Sequence, residues 1–244
     1  MLAVGQVISF LITTELFFNK FYTETAYIDD ANLKDSDYEL IKKNCNYWRN
    51  YGDIEDTWAS VVDIIEHYRK YWSLISKHHG PGGWFDPDML ILGNKGLTFE
   101  QSKVQMSFWC LWSAPLLMSN DLRHIKPEIK AILQNKHLIA VDQDPLGVMG
   151  GNVISDGQKQ VWLKQLSGDP TPYAVLYFNP EDTDATMSYK LSSILPDVNP
   201  SGSYLIFDLF DDGHLIGTLT SEQNLTLIAK ATGVAFVKIV PKRC

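Results

Sequence analysis

The spacing of apolar residues changes once along this chain, near residue 150, and that change leaves few folds open. Before it, Trp58, Val61, Val62, Ile65, Tyr68, Trp72 and Ile75 recur at helical spacing. After it, VWLKQL, YAVLYFN, TMSYKL, YLIFDLF, HLIGTL, LTLIA and VAFVKIV are short and alternating, with turn signals such as GDP, PSG and Asp212–Gly213 between them. Residues 150–244 therefore predict an antiparallel β-sandwich. Residues 36–149 predict something else. Asn46 to Asn50 fits a short strand before a helix over about 56–77. GPGGWFDPDMLILGN holds a second strand before a helix from Thr98, and PLLMSND a third, ending in Asn120 and Asp121, before a helix from Pro127 to about Asn135. Strand and helix in alternation imply parallel strands with crossover helices, about three units of a βα repeat. The boundary falls near Gly147–Gly151, and residues 1–35 stand apart as a divergent leader.

Local signals sharpen these limits. Ser36 with Glu39, and Thr98 with Gln101, have capping-box spacing. Glu55 and Asp56 sit where a positive helix end favours carboxylates. His78 and His79 end the long helix, lack metal-ligand spacing and read as a solvated terminus. The segment MSFWCLW is apolar on nearly every side, so its helix must be covered on several faces. Three βα units cannot close a barrel of eight strands, which leaves open edges, a helix at 98–113 short of cover, and the sandwich as the most independent part.

Composition removes several classes of function. A net charge of -8 without a Lys/Arg cluster argues against nucleic acid. The first eighteen residues are too polar to span a bilayer, and they lack the basic start and cleavage site of a signal peptide. Cys45, Cys110 and Cys244 are too widely spaced for a zinc motif, and Cys110, in an apolar helix, reads as core. Asn224, in NLT, is the one acceptor for N-glycosylation. Nothing in the sequence implies a metal or an organic cofactor.

The chemistry concentrates in CNYWRNYGDIEDTW, Cys45 to Trp58, which holds one guanidinium, three carboxylates and four aromatic rings at a strand-to-helix junction. In a βα barrel that junction is the face where catalytic side chains collect. By spacing alone Asp53, three residues before Asp56, reads as a helix N-cap, and Arg49 as an ion-pair partner of Glu55 or Asp56. Asp86 and Asp88 flank a proline and read as a turn that bonds its own backbone. Trp84 is equally a sugar platform or core, and Asp121 reads as structural.

WRNYGDIEDTW, GPGGWFDPDML, APLLMSNDLR and QDPLG, in that order, resemble glycoside hydrolase family 27, the melibiase-like family of α-galactosidases and α-N-acetylgalactosaminidases. The resemblance implies the C-terminal part of a (β/α)8 barrel, an α/β layer, followed by an antiparallel β-sandwich. It implies retaining hydrolysis of terminal α-galactosides or α-N-acetylgalactosaminides in glycolipids, glycoproteins or oligosaccharides, a homodimer, and a lysosomal or secreted location. Asp53 matches the family's acid/base, Arg49 the guanidinium beside the sugar, and Asp88 and Met89 residues lining the sugar pocket. Asp86 is then structural. Cys45 matches a cysteine that pairs upstream. Asp53 is expected to lie buried among Trp48, Tyr51 and Trp58. The family's nucleophile motif, KFDGC or KLDGC, has no counterpart in residues 1–35. A chain of this kind is a hydrolase with an incomplete site, or an inactive partner for binding or assembly.

Overall fold

A computed structural model describes residues 35–243. The leader, the choice between signal peptide and core strand for the first eighteen residues, and Cys244 lie outside the described residues. Helix α1 (Asp35–Asn44) leads into strand β1 (Tyr47–Arg49), helix α2 (Trp58–His78) and strand β2 (Trp84–Asp86). The two strands pair in parallel, Tyr47 with Trp84 and Arg49 with Asp86, so their C-terminal ends lie side by side. Helix α1 already includes Ser36, which removes that residue from the capping position. Helix α2 is capped by neither Asp53 nor Asp56 but by Thr57, whose hydroxyl accepts from the Ser60 amide. Asp56 instead accepts from the Lys95 and Gly96 amides of the loop before helix α3 (Phe99–Leu111). A Cβ at Gly96 would stand 1.8 Å from the Asp56 carbonyl oxygen, so only glycine permits this approach.

Helix α3 starts with the expected reciprocal capping box of Thr98 and Gln101. The third expected strand does not form. PLLMSND contributes a single parallel bridge, Leu90 with Met118, because Pro115 cannot donate to a ladder and the chain turns away after Ser119. Helix α4 (Pro127–Leu133) is followed by helix α5 (Lys136–Asp142), which Asn135 caps through the His137 and Leu138 amides.

Eight strands follow: β3 (Gly151–Asp156), β4 (Lys159–Gln165), β5 (Tyr173–Asn179), β6 (Ala185–Lys190), β7 (Ser203–Asp208), β8 (His214–Thr220), β9 (Asn224–Ala229) and β10 (Gly233–Pro241). A short helix, α6 (Leu191–Ile194), separates β6 from β7. All pair antiparallel, in a six-stranded sheet ordered β3-β4-β5-β10-β7-β8 and a facing pair β6-β9. The central strands of the large sheet, β4, β5 and β10, are buried on both faces. Val161, Val175, Tyr177, Val237 and Ile239 meet β6-β9, while Trp162, Leu176, Phe178 and Phe236 meet α3. That double burial explains why YAVLYFN reads as a continuous apolar run. It also covers α3, whose residues Val104 to Leu111 are all buried: Phe108 packs edge-on against Trp162 and Phe178. The expectation that this helix lacks cover is therefore wrong.

Lys164, on the same sheet face as Trp162, is 1% exposed. Its ammonium donates to Val141 O at 2.6 Å, Ser113 Oγ at 2.6 Å and Cys110 O at 3.2 Å, tying sheet to helices. His78 and His79 are also buried rather than solvated. His78 stacks on Tyr38 of α1, and the Phe85 amide donates to His79 Nδ1; burial, aided by the Lys164 and Lys42 charges, pushes His79 down to about 3.

Candidate active site

The parallel register of β1 and β2 places Arg49 and Asp86 opposite one another, and the loops that leave these strands carry the remaining groups. Arg49 Nη2 reaches Asp53 Oδ1 at 2.7 Å and Asp88 Oδ2 at 2.8 Å, pairing with neither Glu55 nor Asp56. The Asp88 carboxylate, 11% exposed, also accepts from the Ile54 amide at 2.7 Å and the Met89 amide at 2.8 Å. Asp88 thus clamps the loop that bears Asp53 to the end of β2. Its backbone is left-handed, with φ of 79°, a conformation that Asp tolerates better than most residues. Asp86 Oδ1 accepts the Asp88 amide at 2.9 Å, and Trp109 of α3 donates its indole N–H to the Asp88 carbonyl at 2.7 Å. Gln105 completes the support, accepting from Ile91 and Leu92 and donating to Met89 O.

Arg49, Asp53, Asp88 and Met89 are therefore brought together at the C-terminal ends of the strands. The aromatic surroundings expected for Asp53 are not there. Its side chain is 76% exposed, because each ring is occupied elsewhere. Trp48 packs on Phe85, Tyr51 stacks on His67 at 3.9 Å, and Trp58 meets Phe178. The Tyr51 hydroxyl donates to Asp63 at 2.6 Å, and this bond together with partial burial pushes Tyr51 up to about 12. Trp84 lies at the other end of the strands. There it lines a cleft of about 450 Å³ with Tyr47, Pro81, Ser113 and Asp142 that includes neither Arg49 nor Asp53. The glycines of GPGGW let the chain lie against a ring rather than a ligand, since a Cβ at Gly83 would sit 2.8 Å from Trp48. Asp121 is bonded by Arg123 and His124 and makes no ion pair with Arg49. Cys45 and Cys110 are free thiols. Among the described residues no cluster of His, Cys, Asp or Glu is placed to hold a metal ion.

Sequence reasoning missed the grip of Asp88 on Ile54 and the supports from Trp109 and Gln105. No spacing rule joins residues so far apart. The capping-box helix and the apolar face of α3 gave only the position of the scaffold.

Two family models match the chain: that of alpha galactosidase A over residues 21–144, and that of the alpha galactosidase C-terminal beta sandwich domain over residues 156–239. The chain belongs to the alpha galactosidase A family. It is 40% identical over 206 residues to alpha-N-acetylgalactosaminidase of Gallus gallus, covering 84% of this chain and 50% of that one. It is 43% identical over 155 residues to alpha-galactosidase A of Homo sapiens, covering 64% and 36%. It superposes on alpha-galactosidase I from Mortierella vinacea with a TM-score of 0.76 and 27% identity, over 83% of this chain and 55% of that one. The chain thus spans about half the length of the curated relatives it matches. The resemblance to glycoside hydrolase family 27 holds. The α/β layer of this family member is the C-terminal part of a (β/α)8 barrel, followed by the family's β-sandwich.

Proposed function

We propose that the chain is a glycoside hydrolase of the α-galactosidase or α-N-acetylgalactosaminidase type, acting on terminal α-galactosides with retention of configuration. The observation that carries this is the Asp53–Arg49–Asp88 constellation at the C-terminal ends of parallel strands, in a member of a glycosidase family. Retaining hydrolysis uses one carboxyl group to protonate the leaving oxygen and a second, about 5–5.5 Å away, to attack the anomeric carbon. Asp53, exposed and free to meet a glycosidic oxygen, takes the acid/base role. Arg49 faces the sugar beside it and fixes where the Asp53 carboxylate points. A carboxylate has about four acceptor sites. Arg49, Ile54 and Met89 occupy three on Asp88, which leaves one for a sugar hydroxyl, and Met89 supplies an apolar wall. The substrate is a glycolipid, glycoprotein or oligosaccharide with a terminal α-linked galactose or N-acetylgalactosamine. Homodimerisation and a lysosomal or secreted location go with this reading. Asn224, exposed at the start of β9, is the glycosylation site proposed with them.

A second reading has one observation in its favour. Among the described residues, Asp88 is the only carboxylate sharing Arg49 with Asp53, and its bonds suit it to binding rather than attack. The chain is then a catalytically inactive partner that binds sugar or assembles with a fuller homologue. Hydrolysis of chromogenic α-galactoside and α-N-acetylgalactosaminide at acid pH, with Asp53→Asn alongside, separates the two. Turnover that falls 100-fold or more in the variant, in the range general acid catalysis contributes, supports the first reading. Equal turnover removes Asp53 from the mechanism. No turnover from either, with galactose still bound, supports the second.

A further inference from the structure

Asp86 is 5% exposed at the end of β2 and has no part in the hydrolysis proposed for this site. Its carboxylate nevertheless sits at the root of everything that holds Asp53. Oδ1 accepts the amide of Asp88, the residue whose left-handed backbone turns its own carboxylate back toward Arg49 and the Ile54 amide. Ile54 is the next residue after Asp53, and Arg49 holds the Asp53 carboxylate. We propose that Asp86 is a positioning residue of this site: by fixing the Asp88 main chain it sets the grip of Asp88 on Arg49 and Ile54, and through them the seat of Asp53.

A linkage to proton concentration follows from the same contacts. Burial pushes the Asp86 carboxyl up to about 6, with the Asp88 charge adding to the shift and the Asp88 amide and Arg49 opposing it. The charged groups that act on Asp86 are Arg49 from β1 and Asp88 from its own loop. When ionised, Asp86 binds the Asp88 amide through a charge-assisted bond, roughly twice as strong as a neutral one. It then also repels the Asp88 carboxylate. When protonated it loses both effects. The clamp on Asp53 therefore has two settings, the relaxed one in mildly acidic solution and the tense one above neutrality.

The inference rests on Asp53 and Arg49 forming the site, and its test does not depend on turnover. Amide shifts of Ile54 and Met89 are followed by nitrogen-15 NMR on the full 244-residue chain between pH 4.5 and 8, in the wild type, Asp86→Asn and Asp53→Asn. The expected result is one shared step with a midpoint near 6 in the wild type. The step persists in Asp53→Asn and is absent from Asp86→Asn, whose amide oxygen still accepts the Asp88 N–H but cannot ionise. A purely structural Asp86 would lower the melting temperature without linking these two amides to one titration. A flat wild-type curve, a step that vanishes with Asp53, or a step unchanged in Asp86→Asn would overturn the proposal. Should Asp86→Asn fail to fold, the carbon-13 shift of the Asp86 carboxyl itself decides it in the wild type: titration in step with the Ile54 and Met89 amides supports the proposal, and titration at a different midpoint overturns it. Failure of the hydrolase reading shows in the assay of chromogenic substrates, failure of this one in the amide shifts.

Discussion

Asp142 is 4% exposed and feels the charge of the Lys164 ammonium, itself 1% exposed. Burial pushes the Asp142 carboxyl up to about 7 and Lys164 down to about 8. Because Asp142 has a higher pKa folded than unfolded, folding takes up a proton between about pH 4 and 7. The stability it contributes is greatest in acid and falls as pH rises through 7. Asp142→Asn removes that slope, so the variant should gain on the wild type by roughly 2–4 kcal/mol between pH 4.5 and pH 8. Urea unfolding of both at the two pH values measures this; a constant difference would mean that Asp142 is ionised throughout. Neither residue was legible in the sequence, because nothing in an alternating strand or a short helix says which lysine or aspartate the packing will bury. Asp53 and Arg49 were found by resemblance, and the spacing-based reading of Asp53 as a helix cap fails because Thr57, with its hydroxyl one residue from the helix, takes that place.

At the level of elements, the parallel pairing of β1 with β2 was legible because a helix between two strands implies a crossover, and the Thr98 capping box because its two residues are close in sequence. Strand β3 was not. Its apolar residues, Val153 and Ile154, are adjacent rather than alternating, and a register shift between Asn152 and Ile154 absorbs the irregularity. Helix α5 was hidden by its closeness to α4, since Gln134 ends that helix and Asn135 caps the next. The loops that carry the site depend on one close approach, that of Gly96 to the Asp56 carbonyl. Gly96→Ala cannot be accommodated by a side-chain shift, because the overlap is with main chain. It should destabilise the chain by about 2 kcal/mol or more, in the range of strained backbone positions. Thermal melting beside Gly217→Ala, where a Cβ meets nothing within 4 Å and φ is not positive, provides the comparison. Equal losses at the two positions would show that the Asp56 contact does not set the cost.

The whole molecule departs furthest from what its sequence suggested. The texture changes near residue 150, but the core does not stop there: Phe108, Trp112, Trp162 and Phe178 form one aromatic cluster, and Lys164 bonds across it. Periodicity reports which face of an element is apolar and says nothing of which element will cover it. The described chain should therefore unfold in one transition, with near-ultraviolet circular dichroism from the Trp cluster and far-ultraviolet signal from the sheet coinciding. Two separated transitions, the later one belonging to residues 150–244, would restore the independent sandwich. The site itself hangs on this core through Trp109 and Gln105, so its geometry is a property of the assembled molecule. The most direct measurement of the central claim is galactose binding followed at the Met89 methyl group by carbon-13 NMR, in the wild type and in Arg49→Met. The result expected is a saturable Met89 shift in the wild type that is lost in the variant; saturable binding that leaves Met89 unmoved, or that survives loss of Arg49, would contradict a sugar site at the ends of β1 and β2.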